Sequence, residues 1–230
     1  MPSSANFSGS PWDKPWDVFR ESIRELGFFM ALRYLLIYAL SYKAQDDDSY
    51  DRINGTDTSG IVPTRNLNIS DDYTRWQANL FLASPARITR YMIDTPILGG
   101  AIDPTEYTFI DYGSGKGRST LVAAEYPFKA VVGVEISSEL TAVAINNKEI
   151  VQAIVSAPIE FICADARSYQ LPAGNLILHM YHPFGQDILR EVLSSIRSQL
   201  IVQNEPRRRI MVPYLFSVAM AKAVFHEFPE

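Results

Sequence analysis

The chain of 230 residues contains a single cysteine, Cys163. One thiol excludes an internal disulfide and a cysteine-based zinc site, so a reducing compartment, the cytoplasm, is the default expectation. Basic excess is also missing, with a formal net charge of −5 at pH 7. That balance argues against broad nonspecific binding to nucleic acid, although a local basic patch would survive the average. A membrane span takes roughly 20 apolar residues. The most apolar segment, LGFFMALRYLLIYAL (Leu26–Leu40), has 15 residues with Arg33 in its middle. Asp13, Asp17, Glu21 and Glu25 crowd the region before it, which argues against a signal peptide. The segment reads as a helix packed on the domain, with an interfacial membrane helix or an oligomer contact as alternatives. Internal repeats are absent, and no set of ligands at fixed spacing points to a metal.

What is present is one well-buried domain's worth of apolar residues, 47% of the chain. Residues 1–14, rich in Ser, Pro and Gly, read as a disordered tail. Pro15-Trp16-Asp17 can open a helix running to about Lys43. Residues 44–60 then break the periodicity, with turn dipeptides Asn54-Gly55 and Ser59-Gly60; the acid run Asp46–Asp48 reads as a solvated face. SPARITRYMID (Ser84–Asp94) suggests a helix capped by Ser84, with Pro85 at its first position. Residues 15–104 together read as a helical extension or lid. From residue 107 apolar strands and helical stretches alternate. Candidate strands cover 107–111, 130–136, 159–165, 176–181 and 209–215, each a near-continuous apolar run of the kind covered on both faces. RSTLVAAEY, SELTAVAINNKEIVQAIV and DILREVLSSIRSQLIVQ have helical period. The fold class is α/β, a doubly wound, mostly parallel sheet over residues 105–230. The chain ends soon after the fifth strand, which suggests a truncated sequence or a small sheet.

The chemistry is concentrated in YTFIDYGSGKGRSTLVAAEYP (Tyr107–Pro127). A P-loop needs G-x-x-x-x-G-K-[ST]. Counted from Gly113, its second glycine would fall on Arg118, and Lys116 is followed by Gly117 rather than Ser or Thr. A dinucleotide fingerprint, G-x-G-x-x-G, fails at the same arginine. The tighter Gly113-x-Gly115-x-Gly117 makes a turn against which a nucleoside can lie without a diphosphate. Asp111, just before it, suits a positive group and would repel a phosphate. Glu135 closes the next strand, where a carboxylate can accept both ribose hydroxyls. The third strand ends in Asp165-Ala166, placed to reach an adenine amino group. The acids thus fall at the carboxyl ends of successive strands, where open α/β sheets bind ligands.

FIDYGSGKG, GVEIS and CADA resemble the first three motifs of the class I, Rossmann-type methyltransferases that use S-adenosylmethionine, a resemblance covering roughly residues 105–215. It implies that Gly113, Ser114, Gly115 and Gly117 wrap the methionine part. Glu135, with Ile136 beside it, would hold the ribose, and Asp165 with Ala166 would frame the adenine. In amino-methylating members the fourth strand leads into Asn/Asp-Pro-Pro-Tyr/Phe. Here Tyr181-His182-Pro183-Phe184 matches in part. His182 could accept a proton, because an imidazole titrates near neutrality, and Phe184 could stack on a planar or cationic acceptor. Equally, His182 could cap the turn and Phe184 pack in the core. The expected activity is methyl transfer to a protein or small molecule, N-methylation being favoured; a non-catalytic binding or assembly module of the same fold is the alternative. Asp57, Thr58, Gly60, Tyr73, Arg75 and Trp76 resemble the segment before the sheet in a branch distantly related to the Rossmann-type lysine methyltransferases, and read either as substrate platform or as loop and caps. Arg207-Arg208-Arg209 reads as a solvated turn, and Cys163, inside an apolar strand, as buried and inert.

Overall fold

The computed structural model describes residues 49–62, 67–69, 73–74, 81–215 and 224–228. The expected tail at 1–14, the helix at 15–43 with Leu26–Leu40, the acid run 46–48, Arg75 and Trp76 lie outside the described residues. Among those described, no helix is long and apolar enough to cross a membrane.

Strand β3 (Tyr107–Tyr112) is the centre of the sheet and is buried along its whole length. It pairs in parallel with β4 (Ala130–Glu135) on one side and β6 (Asn175–Tyr181) on the other. β5 (Ile159–Cys163) continues beyond β4 as an edge. The order β5-β4-β3-β6 reverses direction at β3, creating the switch point where doubly wound sheets open a crevice at their carboxyl ends. The fifth strand expected over 209–215 is two short pieces, β7 (Ile210–Met211) and β8 (Tyr214–Leu215), both parallel to β6. Pro213 lies at the break and has no N–H for a ladder, yet its carbonyl accepts from Met180 N–H at 3.1 Å.

Period-two alternation sends β3 side chains into two cores. Tyr107 and Phe109 join Leu121 and Val122 of helix α3 (Arg118–Ala123) and Ile93 of α2 (Ala86–Leu98) on one face. Ile110 and Tyr112 join Leu189, Val192 and Ile196 of α5 (Gln186–Gln203) on the other. Helix α4 (Ser138–Val151) links β4 to β5 and starts at Ser137, whose Oγ accepts from Leu140 N–H. The region before the sheet shares this interior. Tyr50 of α1 (Ser49–Asn54) belongs to the first core, and β1 (Ile61–Val62) pairs antiparallel with β2 (Phe81–Leu82). Ser84 does not cap α2. Pro85 occupies the cap position without a side-chain bond, and Ser84 Oγ instead lies 3.2 Å from Thr89 Oγ1.

Candidate functional site: a cleft at the switch point

A cleft of about 970 Å³, its open mouth included, lies over the carboxyl ends of β3, β4, β5 and β6. The glycine loop forms its floor. Gly113, Gly115 and Gly117 all have φ between +54° and +93°, the left-handed region that L side chains avoid. The loop is pinned because Gly113 and Ser114 N–H both donate to Val134 O. Protein side chains also press on the bare backbone. A Cβ at Gly113 would meet Pro183 at 2.4 Å, one at Gly115 would meet the Phe81 ring at 2.2 Å, and one at Gly117 would meet Phe161 at 2.6 Å. Gly113 and Ser114 line the cleft, whereas the missing side chain at Gly117 admits Phe161 and lets α3 close on the sheet. Ser114 Oγ is buried with no hydrogen-bond partner among the described residues.

Glu135 is buried in the cleft wall. Its Oε2 accepts from Gly115 N–H and its Oε1 from Ser137 N–H, each at 2.9 Å. Burial raises its pKa, against the pull of these backbone donors. Ile136 lines the cleft beside it. Asp165 and Ala166 also line it, but the Asp165 carboxylate is held by Arg167, which donates to both of its oxygens and on to Thr74 Oγ1 and Glu191. Asp111 sits on the first core's face of β3. His179 Nδ1, its register partner on β6, lies 2.7 Å from Oδ1, and Thr120 Oγ1 donates to Oδ2 at 2.9 Å.

Tyr181, His182, Pro183 and Phe184 form the wall facing this floor. His182 adopts φ +48°, strained for a residue with a side chain, and its Nδ1 lies 3.1 Å from Tyr214 Oη. Burial pushes its pKa down to about 4, so the imidazole is neutral at pH 7 rather than poised near its ordinary value. Phe184 serves both readings at once, lining the cleft and packing against the second core.

The Ser49–Gly60 segment straps the outside of the glycine loop. Asp51 accepts from the Thr56, Thr58 and Ser59 hydroxyls and from the Thr58 and Ser59 N–H groups. Although burial opposes it, these bonds hold its pKa down to about 2. Arg118, buried at the start of α3, donates from Nε to Thr58 Oγ1 and from Nη2 to Ser59 Oγ. Lys116 bonds Asp57 and Ser59 O, and Asn147 clasps the Asp57 backbone from both sides. Asp57, Thr58 and Gly60 are thus part of a strap rather than of the cleft wall, and Tyr73 is exposed. Cys163 is exposed at the end of the edge strand, not buried. Within the arginine run, Arg207 and Arg209 are exposed, but the Arg208 side chain is 4% exposed and donates to Gln203 and to Pro172 O. Sequence reasoning missed Arg118, Ser84, Ser119, Phe81 and Leu140, all of which line the cleft.

Residues 110–178 match the family model described as a methyltransferase domain. Among curated proteins none matches. Solved structures similar to this chain include the magnesium protoporphyrin IX methyltransferase of Synechocystis with bound S-adenosylmethionine, at 16% identity and a TM-score of 0.45, covering 62% of this chain and 67% of that one. An RNA methyltransferase from Salinibacter ruber in complex with S-adenosylhomocysteine is similar at 22% identity and a TM-score of 0.39, covering 51% and 70%. Fold, glycine loop and family match define a class I, Rossmann-type methyltransferase domain. The match assigns residues 110–178 to a methyltransferase domain, whose cofactor is S-adenosylmethionine. The residues present fit that cofactor. A side-chain-free turn, a buried hydroxyl with no hydrogen-bond partner among the described residues and a carboxylate in the cleft wall suit a nucleoside joined to an amino acid.

Proposed function

We propose that this enzyme methylates a neutral amine nitrogen on a small molecule or a protein side chain. The observation that carries this reading is His182, a neutral imidazole set by a left-handed turn into the cleft wall between Tyr181 and Phe184. Bound S-adenosylmethionine supplies a methyl carbon made electrophilic by its sulfonium. Glu135 would hold the ribose hydroxyls, Ile136 and Ala166 would sandwich the adenine, and Asp165 would meet its edge while tethered by Arg167. Gly113 and Ser114 would bracket the amino-acid part. At neutral pH the His182 ring can accept an N–H from the incoming amine and so aim the nitrogen lone pair at the methyl carbon. A base with pKa about 4 does not strip a proton from an ammonium. The amine must therefore arrive uncharged, and His182 contributes alignment rather than proton abstraction. Phe184 and Tyr181 would close aromatic surface around the acceptor and keep water from the methyl.

The test is transfer of isotope-labelled methyl to fractionated cell extract, followed by mass spectrometry of the labelled species. Label on nitrogen supports the proposal. Label on oxygen, carbon or sulfur refutes it, and binding without transfer to any acceptor returns the protein to the class of non-catalytic modules.

A further inference from the structure

We propose that Tyr214 is a positioning residue for methyl transfer: its hydroxyl oxygen accepts Nδ1–H of His182, which fixes the ring and leaves the Nε2 lone pair for the N–H of the acceptor. The proposal rests on the alignment role given to His182 above. Nδ1 of His182 lies 3.1 Å from Tyr214 Oη, and the two rings meet edge to face at 85°. A neutral imidazole carries one N–H and one lone pair, so the bond made at one nitrogen decides what the other can do. An amine that offers N–H needs a lone pair at Nε2, and Nδ1 is then the protonated nitrogen. The phenol serves this arrangement by accepting. Were it to donate, Nε2 would carry the hydrogen, and two donors would face each other in the cleft.

The fold delivers this hydroxyl on a strand of its own. Tyr181, His182, Pro183 and Phe184 line the cleft, whereas Tyr214 packs against the second core and so acts through the imidazole. β8 is held to β6 in parallel register, with Met180 opposite Tyr214 and Tyr181 opposite Leu215. Met180 N–H donates to Pro213 O at 3.1 Å, which ties the backbone just before Tyr214 to the strand end that carries His182. The Tyr214 ring is backed edge-on by Phe225, with centroids 5.6 Å apart. β6 ends at Tyr181, and His182 then turns at φ +48°. A residue with a side chain keeps that conformation only where its surroundings hold it. The contact with Tyr214 is such a hold, and it acts on a ring that lines the cleft.

The experiment is long-range proton–nitrogen correlation spectroscopy of the full chain carrying nitrogen-15 histidine at neutral pH, which tells a protonated ring nitrogen from one with a lone pair. The chain has three histidines, so His182→Gln identifies the signals of His182. The expected result is protonated Nδ1 and unprotonated Nε2 in the wild type, and a mixture of both tautomers in Tyr214→Phe, which keeps the ring against Phe225. A protonated Nε2 in the wild type overturns the proposal. So does a lower melting temperature in Tyr214→Phe with unmoved histidine signals, which would show a purely structural tyrosine. The second readout is labelled-methyl transfer to the extract fraction that takes up label. Loss of one neutral hydrogen bond predicts a kcat about 2- to 10-fold lower in Tyr214→Phe, with KM for S-adenosylmethionine unchanged; an unchanged kcat overturns the proposal. His182→Gln separates this claim from the one beneath it. Transfer at the wild-type rate in that variant would overturn the alignment role of His182 and this proposal with it, whereas slow transfer there beside a wild-type rate in Tyr214→Phe would overturn the role of Tyr214 alone. Should Tyr214→Phe fail to fold, the wild-type spectrum decides between the two directions of the bond.

Discussion

Glu135→Gln tests the cleft at the group on which ligand and fold both depend. The carboxylate receives one backbone N–H on each oxygen, from Gly115 and Ser137. An amide can accept at only one of these places, and at the other its NH₂ faces a donor. One buried N–H is then left unmade, which costs about 1–3 kcal/mol. For a chain of this length that lowers the melting temperature by about 2–12 °C. The ligand effect is separate. If the carboxylate accepts the ribose hydroxyls, replacing it removes charge-assisted bonds worth about 1.5–3 kcal/mol, or roughly 10- to 150-fold in affinity. Calorimetry with S-adenosylhomocysteine at a temperature well below both melting points separates the two effects. A variant that melts lower yet binds with unchanged affinity would show that Glu135 only ties the glycine loop to α4, and the ribose assignment would fall.

Gly115→Asp should lose cofactor binding and stability together, since its Cβ would enter the Phe81 ring and the backbone there is left-handed; full retention of affinity by calorimetry would contradict this. Asp51 is titrated below its ordinary carboxylate range, so its contribution is complete above about pH 4 and disappears as pH falls through about 2. Hydrogen exchange at residues 49–60 should therefore quicken over that window, and the Asp51→Asn variant should exchange fast at every pH. Because His182 is neutral down to about pH 4, the rate should show no inflection near pH 6.5 assignable to it; an inflection there that vanishes in His182→Gln would count against the alignment role. Cys163, the single cysteine, should react with one equivalent of a thiol reagent in the folded protein, and labelling only after denaturation would contradict its exposure.

The parts of the fold written in local pattern were readable from the sequence. Glycine spacing around residues 113–117 and the acids ending β3 and β4 needed no knowledge of distant contacts, and the apolar runs marked β3, β4 and β6 within a residue or two. Features set by long-range pairing were hidden. Arg118 looked like a defect in two phosphate-binding patterns, because its partners Thr58 and Ser59 lie some sixty residues upstream. Cys163 was expected inside because its strand is apolar, but the strand's place at the sheet edge decides exposure, and strand order is not legible in hydrophobicity. Asp165 read as an adenine contact, while Arg167, two residues on, folds back to clasp it. His182 was assigned a neutral pKa that burial removes.

The strap also limits how the enzyme can be trimmed. Cutting the chain at the start of the sheet, a natural choice for a minimal catalytic fragment, would remove Thr58 and Ser59 and leave a sealed guanidinium with its short-range anchors gone. Such a fragment would keep every recognisable motif and still have a misaligned cradle, so its inactivity would say nothing about the chemistry of the intact protein.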